Sequence, residues 1–325
     1  MFSRRYLAFN KHVVFWLVVS ILLSWIYLDP FYILIASPLI LVDLWLALCL
    51  CLMFRVPVLR EKKDLPSGWS SETMLVDAYP VRWLSKSIEL DKPLAILIHG
   101  WNSTATNMIG RSELYVESGY NVVLFEMRAH GGNQPVDHWA AMHICHDLET
   151  VLTLFNQRGW LSNGFIIHGH SLGGFVAQRA LRPDIETSRY GRGLILESPV
   201  TSYEYINNRS CEYLRIPKLL HKMMIRRLLK YYNDLNPIQY SIKSVQDLSI
   251  PNWGLPSCPT LLVQAKHDST LGEKHAKLLI DVHQSCESTF EYHIVDGLKH
   301  ANEANNTVRD QLIREWMDGQ SLFFA

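Results

Sequence analysis

The stretch Gly164-Phe165-Ile166-Ile167-His168-Gly169-His170-Ser171-Leu172-Gly173-Gly174 indicates the fold of this chain most directly. A short apolar run leads into a Gly-x-Ser-x-Gly pattern, and a segment suited to a helix follows from Phe175. This order predicts a strand, a sharp turn and a helix, with Ser171 at the turn. The small residues beside the serine give the steric room that such a turn needs.

Similar apolar runs recur along the chain, each bounded by turn residues. They lie at 93–98, 121–125, 193–197, 260–263 and 290–295. Continuous apolar runs of this length suit strands that are buried on both faces. Segments long enough for helices separate them, at 137–157, 172–182, 271–283 and 302–318. The alternation predicts an α/β fold with a doubly wound, mostly parallel sheet, whose functional loops lie at the carboxyl ends of the strands.

Residues 200–255 interrupt this alternation, because they contain no pattern of a buried strand. Within them, Pro217 to Tyr232 predicts a helix with proline in its first turn. Basic residues recur on it every four positions, at Lys218, Lys222, Arg226 and Lys230. We expect a small helical cap here, whose charged face is either solvated or in contact with anionic lipid headgroups.

A nucleophilic serine needs two backbone donors that stabilise an oxyanion. The amide of Leu172, directly after Ser171, is the first candidate. The second should come from the loop after an earlier strand, where His99-Gly100-Trp101-Asn102 follows the run 93–98. We predict the Trp101 amide as this second donor, and a loop-bracing role for His99.

The serine also needs a base, and the base needs an acid that orients it. His300 is the candidate base, since it lies in a loop that follows the run 290–295. Asp268 is the candidate acid, because it comes after the run that begins at Thr260. Asp296 remains an alternative acid.

Together these motifs make the chain resemble the α/β-hydrolase superfamily, in particular its monoglyceride-lipase-like and serine-aminopeptidase-like members. The resemblance covers roughly residues 70–320. It rests on His99-Gly100, Arg128-Ala129-His130-Gly131, Gly169 to Gly174, Asp268, and Gly297 with His300. It implies Ser171 as nucleophile, Asp268 as acid and His300 as base, with His170 in a structural position.

Two positions depart from the pattern of these relatives. Ala265 stands where they usually have glycine before the acid, and Glu126 stands where an aspartate is common before the loop around Arg128. Neither difference removes a proposed catalytic group.

The N-terminal part of the chain is strongly apolar. Between Val13 and Phe54 only Asp29 and Asp43 are charged, and Asp29-Pro30 divides the run into segments 13–28 and 31–54. As helices these would be about 24 Å and 36 Å long, against a bilayer core of about 30 Å. We predict a transmembrane hairpin in residues 1–54. For Asp43, inside the second segment, we expect a protonated or helix-paired side chain.

Basic residues flank both ends of this hairpin, so the positive-inside rule places both ends in the cytoplasm. They are Arg4, Arg5 and Lys11 before it, and Arg55, Arg60, Lys62 and Lys63 after it. The alternatives are one span, a re-entrant hairpin that does not cross, and a cleaved signal peptide. Residues 55–325 then form one hydrolase domain, with the cap inserted at about 200–255.

Composition limits the remaining function classes. Lys+Arg and Asp+Glu are both 31 among 325 residues, so the basic excess expected of a nucleic-acid binder is missing. Six cysteines are too few for a disulfide scaffold. The chain has no phosphate-loop or dinucleotide-binding motif, and the pair His143 and His146 has no further ligand cluster, so we expect neither cofactor nor metal.

These observations predict a membrane-anchored serine hydrolase that cleaves carboxylic esters, with lysophospholipids or monoacylglycerols as the preferred class. An amidase or peptidase, and a thioesterase, remain open because the same catalytic groups serve those bonds. A catalytically silent membrane scaffold is the alternative from another class, since a fold alone does not establish a function.

Overall fold

The computed structural model describes residues 4–27, 31–57, 64–235, 242–286, 288–301 and 303–320. These residues divide into two compact units, of which the smaller comprises Met1–Val56, Val136–Ala140 and Asn207–Ser241. The rest of the chain forms the larger unit. Asp29-Pro30 and the basic residues Arg60, Lys62 and Lys63 lie outside the described residues.

The larger unit is built on an eight-stranded sheet. Its strands are β1 (Ser70–Val76), β2 (Tyr79–Ser85), β3 (Leu94–Ile98), β4 (Asn121–Glu126), β5 (Phe165–His170), β6 (Gly191–Glu197), β7 (Thr260–Ala265) and β8 (Phe290–Val295). Their order is β1-β2-β4-β3-β5-β6-β7-β8. The strands from β4 to β8 in that order pair in parallel, whereas β2 is antiparallel to both of its neighbours.

The helices accompanying this sheet are α3 (Ile109–Glu117), α4 (Ala141–Gln157), α5 (Leu172–Ala180), α8 (Glu273–Gln284) and α9 (Thr307–Gly319). Strands β3 to β5 and β7 are buried along their whole length. Their apolar side chains pack with those of α3 and α9, including Tyr115, Ile313 and Trp316, into one core. The sheet therefore provides a rigid platform for the loops at its carboxyl edge.

This architecture confirms the predicted mostly parallel α/β fold. All six apolar runs predicted as strands are strands, and the four predicted helical segments coincide with α4, α5, α8 and α9 to within a few residues at each end. Strands β1 and β2 and helix α3 were not predicted. Most of β1 is exposed or half-buried, so it lacks the continuous apolar run by which the buried strands were recognised.

The smaller unit contains the helices α1 (Arg4–Tyr27), α2 (Phe31–Met53) and α7 (Lys218–Leu235). Helix α6 (Tyr203–Tyr213) precedes α7 in the chain. Helices α1 and α2 pack against each other, and α2 also packs on α7. At the end of α2, the Phe54 ring lies 4.5 Å from Tyr231 and 4.9 Å from Tyr232, measured between ring centroids. The helix predicted at 217–232 is α7.

Within the described residues, one helical segment is long and apolar enough to cross a membrane. It runs from Ala36 to Met53 with a mean hydropathy of 2.2. The corresponding part of α1, Phe9–Leu23, falls short of that length. The second span predicted from the sequence is therefore not shown.

Candidate active site

Ser171 occupies the turn between β5 and α5. Its backbone has φ 53° and ψ −116°, a left-handed conformation that is rare for residues other than glycine. Its amide donates a hydrogen bond to the carbonyl oxygen of Glu197, at 2.9 Å, and Gly174 donates to the Ser171 carbonyl at 3.0 Å. The neighbouring strand and the first turn of α5 thus hold the strained serine in place.

Three glycines around Ser171 are required by close packing. A Cβ atom on Gly169 would lie 2.6 Å from the Gly173 carbonyl oxygen, and one on Gly173 would lie 2.2 Å from the Ile98 carbonyl oxygen. A Cβ on Gly100 would approach the Ser171 Cβ to 3.1 Å. The loop after β3 therefore lies directly against the serine turn, and side chains at these positions would push the two apart.

The structure brings Ser171, His300 and Asp268 together in one hydrogen-bonded row. His300 Nε2 lies 3.0 Å from Ser171 Oγ, and His300 Nδ1 lies 2.8 Å from Asp268 Oδ2. Ser171 and Asp268 are each 7% exposed. A proton can pass from the serine hydroxyl to Nε2, while the carboxylate accepts the proton on Nδ1.

Asp268 is held as a carboxylate by several donors. Its Oδ1 accepts hydrogen bonds from the amides of Thr270 (2.8 Å) and Leu271 (2.9 Å), and Gln264 Nε2 lies 3.3 Å from Oδ2. Burial opposes ionisation, but the hydrogen bonds from His300 and from these amides outweigh it and lower the pKa of Asp268 to about 2. The group that faces the histidine is therefore charged at neutral pH.

The alternative acid, Asp296, lies elsewhere. Its side chain is 70% exposed and pairs with Lys266 at 3.0 Å. The Lys266 ammonium lowers the pKa of Asp296. Of the two candidate acids, Asp268 is the one that contacts His300.

The two candidate oxyanion donors lie on either side of the serine turn. Leu172 is the first residue of α5, where backbone amides have no acceptor within their own helix. Trp101 follows Gly100 in the turn after β3, and its side chain is 37% exposed. The close approach of Gly100 to Ser171 places this turn beside the serine.

Two further histidines brace this region. His99 Nδ1 lies 2.8 Å from the Gly100 carbonyl oxygen, and the Met127 amide donates to His99 Nε2 at 3.1 Å. His170 Nε2 lies 2.6 Å from the carbonyl oxygen of His300. Burial lowers the pKa of His99 to about 4 and that of His170 to about 3, so both rings are neutral at pH 7. They position backbone and do not titrate near neutrality.

Sequence reasoning missed a buried ion cluster at the end of β6. Glu197, whose carbonyl accepts the Ser171 amide, is bound by Arg111 through two hydrogen bonds of 2.7 Å, and Arg309 lies 3.5 Å away. Although burial alone would raise it, the arginine charges hold the pKa of Glu197 well below its usual range. The sequence did contain a sign of this cluster, because the charged Glu197 directly follows an apolar run predicted as a buried strand.

Glu126 is a second polar anchor that was missed. Its carboxylate accepts hydrogen bonds from Arg82 (3.0 Å) and from the amides of Ala105 and Gly132 (both 2.9 Å). Gly131 must be glycine, since a Cβ there would lie 1.9 Å from Glu126 Oε1. The glutamate that departs from the usual aspartate therefore ties two loops of the sheet's carboxyl edge together.

Of the histidine pair His143 and His146, considered above as a metal site, His146 forms a contact with a carboxylate. His146 Nε2 lies 3.1 Å from Asp77, and the neighbouring Asp147 is bound by Arg128 at 2.5 and 3.0 Å. In the part of the chain that the structure describes, no group of three or more metal-binding side chains occurs.

A sequence model of the Alpha/beta hydrolase family matches residues 95–301, which include the candidate nucleophile, acid and base and both candidate oxyanion donors. The chain is also similar to a protein of Danio rerio named lysophosphatidylserine lipase ABHD12, with 26% identity over 227 residues. The matched region covers 67% of this chain and 53% of that relative, so the chain spans about half the length of the relative.

Solved structures share the fold at low sequence identity. The esterase Pf2001 of Pyrococcus furiosus superimposes with a TM-score of 0.59 at 17% identity, covering 82% of this chain and 98% of that one. Esterase 2 of Thermogutta terrifontis gives a TM-score of 0.58 at 13% identity, with coverage of 81% and 98%. These likenesses show the architecture of the larger unit.

Proposed function

The chain belongs to the alpha/beta hydrolase family, and we propose that it is a membrane-anchored serine hydrolase that cleaves carboxylic esters. The observation that carries this proposal is the position of the His300 ring, which bonds Ser171 through one nitrogen and Asp268 through the other. A nucleophile, a base and an orienting acid in contact are what acyl transfer to serine requires.

In the proposed mechanism, Ser171 Oγ attacks the ester carbonyl carbon while His300 Nε2 takes the hydroxyl proton. Asp268 holds the His300 tautomer and stabilises the imidazolium that forms. The imidazolium then gives its proton to the leaving alcohol, and an acyl-enzyme on Ser171 results. His300 next activates a water molecule that hydrolyses this acyl-enzyme and restores the free serine.

The amides of Leu172 and Trp101 are proposed to stabilise the oxyanion. Leu172 also lies at the N-terminus of α5, where the helix dipole favours negative charge. Removal of one such donor from a serine hydrolase typically costs about 10²–10³ in kcat. Neither donor depends on a side chain, so substitutions at these positions act through the backbone.

Lipid esters are the proposed substrate class. Two features support them: the apolar N-terminal segment, and the similarity to a relative whose name describes a lysophosphatidylserine lipase. An enzyme anchored in a membrane meets lipids at high local concentration. We propose lysophospholipids or monoacylglycerols as the first substrates to test.

The proposed organisation has an anchor in residues 1–54 and a hydrolase domain in residues 55–325, with the cap inserted at about 200–255. The flanking basic residues support an anchor with both ends on the cytoplasmic side. The segment Ala36–Met53 supports membrane insertion by its length and composition.

The test is hydrolysis of a matched substrate panel by the purified full chain. The panel contains lysophospholipids and monoacylglycerols of graded acyl length, together with amide and thioester analogues of the best ester. Ser171→Ala should lose the activity, whereas Ser162→Ala, at an exposed serine outside the site, should keep it. Faster cleavage of the amide or thioester analogue would show that the enzyme prefers that bond to the proposed ester. Equal activity of Ser171→Ala and Ser162→Ala would contradict the proposal.

A further inference from the structure

A polar cluster lies on the membrane helix α2, inside the smaller unit. Asp43 Oδ2 lies 2.8 Å from His12 Nδ1, and the Trp16 indole donates to the same oxygen at 2.8 Å. Arg227 of α7 forms an ion pair with Asp43 and also donates to its backbone carbonyl at 3.2 Å. Three helices therefore meet at one carboxylate.

Helix α7 cannot enter the hydrocarbon of a bilayer. Half a dozen of its side chains are basic: Lys218, His221, Lys222, Arg226, Arg227 and Lys230. Lysine and arginine are each strongly disfavoured at the centre of a membrane. Arg227 therefore has to stay outside the hydrocarbon, at the depth of the polar headgroups. Because Arg227 pairs with Asp43, we place the Asp43 side chain at the same depth.

Exposure along α2 changes at the same residue. From Ala36 to Val42 no side chain is buried, and Leu39 and Leu41 are 69% and 66% exposed. Beyond Asp43, Leu46, Ala47 and Leu50 are at most 5% exposed. The first part of α2 therefore presents an apolar surface for lipid, whereas much of its second part is covered by protein.

The uncharged segments beyond this level are too short to cross. Counted from the His12–Asp43 contact, they are residues 13–27 of α1 and 31–42 of α2. At 1.5 Å per residue they extend about 22 Å and 18 Å, against a hydrocarbon core of about 30 Å. Apolar helical stretches of about 10–14 residues are typical of re-entrant or interfacial segments.

We propose that α1 and α2 form a re-entrant hairpin that enters the bilayer and returns to the same side without crossing it, with the Asp43–Arg227 ion pair at the headgroup level. The inference rests on the proposed membrane anchoring and is independent of the proposed chemistry. It replaces the two spans predicted from the sequence by the re-entrant alternative.

The outer face of α7 supports this placement. From Lys218 to Lys230 the exposed side chains combine positive charge with apolar surface: Lys218, Leu219, Lys222, Met223, Arg226 and Lys230. Leu219 is 91% exposed. Such a face suits the boundary of an anionic leaflet, where basic groups meet phosphates and apolar groups reach the upper acyl chains.

The tip of the hairpin distinguishes the two arrangements. In a two-span anchor, Asp29 emerges into water on the far side of the membrane. In a re-entrant hairpin it stays within the bilayer. The test uses a full-chain variant that carries both Asp29→Cys and Cys286→Ala, inserted into sealed vesicles. A membrane-impermeant maleimide then reports whether the cysteine at position 29 is accessible from water. Cys286→Ala alone gives the background, since Cys286 is the exposed native cysteine among the described residues.

Three labelling conditions are compared: intact vesicles, vesicles opened by a pore-forming toxin, and vesicles dissolved in detergent. We expect the cysteine at position 29 to react only in detergent. A second variant, Lys11→Cys with Cys286→Ala, should react in intact vesicles and shows that the reagent reaches the near side. Labelling at position 29 after pore formation, or in intact vesicles, would overturn the re-entrant hairpin.

A second measurement guards against a substitution that disturbs insertion. Asp29→Leu should increase retention of the full chain on vesicles during alkaline extraction, because it removes the polar group at a buried tip. In a two-span anchor the wild type already resists alkaline extraction, so the substitution should leave its retention unchanged, and that result would count against the re-entrant hairpin. A wild-type chain that does not float with vesicles would contradict the membrane anchoring itself, whatever its esterase activity.

Discussion

His170 Nε2 lies 2.6 Å from the backbone carbonyl oxygen of His300, so the residue before the proposed nucleophile contacts the loop that carries the proposed base. The two imidazole rings lie 5.2 Å apart between centroids. Because burial keeps the His170 ring neutral, this contact is a donor-to-carbonyl hydrogen bond that does not change with pH near neutrality.

Loss of this hydrogen bond should slow catalysis while leaving substrate binding nearly intact. His170→Phe keeps a planar ring but removes the donor, and we expect kcat to fall about 10- to 100-fold from misplacement of His300, with little change in KM. His170→Gln, which retains a side-chain N–H, should recover part of the rate. Steady-state kinetics of both variants measure this, and an unchanged kcat for His170→Phe would show that the contact has no positioning role.

The acid of the triad should be essential for rate but not for binding. Asp268→Asn keeps the shape of the side chain but favours the wrong tautomer of His300, and we expect kcat to fall by about 10⁴. Asp296→Asn is the matched control, because Asp296 is exposed and paired with Lys266. Comparable losses in the two variants would contradict the assignment of Asp268.

The buried Glu197 cluster should matter mainly for stability. Glu197→Gln leaves the Arg111 guanidinium without the carboxylate that pairs with it, and removal of one partner from a buried ion pair costs about 3–5 kcal/mol. Glu117→Gln, in an exposed pair with Arg314, should change stability little. Denaturant midpoints of the purified variants test this, and similar midpoints for the two would be the contrary result.

Buried neutral histidines predict a loss of stability on mild acidification. The pKa of His99 is about 4 in the folded chain against an ordinary 6.5, so below pH 6.5 the unfolded state binds the proton more readily. The contribution of neutral His99 to the free energy of unfolding is fully present above pH 6.5 and is lost as the pH drops towards 4. His99→Gln should reduce the slope of the unfolding free energy against pH in this window, by an amount that corresponds to at most about one proton taken up on unfolding. An unchanged slope would indicate that His99 is not buried as a neutral base.

Much of this organisation follows from local sequence patterns. The strands that carry the site are continuous apolar runs. The turn at Ser171 could be recognised by its glycines, which its tight packing requires. Loops at the carboxyl ends of parallel strands converge, so Ser171, Asp268 and His300 could be proposed as neighbours although they are distant in the chain.

Long-range polar contacts could not be predicted in the same way. Arg111 and Glu197 are separated by 86 residues, and Asp43 and Arg227 by 184, with no local pattern to pair them. Apolar residues that face lipid and those that face protein are alike in composition, so the sequence of α2 gave no sign that Asp43 pairs with Arg227.

The central claim is that His300 and Asp268 activate Ser171, and covalent labelling with a fluorophosphonate probe tests it most directly. Membranes containing the full-length wild type, Ser171→Ala or the control Ser162→Ala are treated with the probe, and the modified peptide is identified by mass spectrometry. We expect rapid labelling at Ser171 in the wild type and in Ser162→Ala, and none in Ser171→Ala. A folded wild-type chain that does not react, or that reacts at another residue, would contradict it.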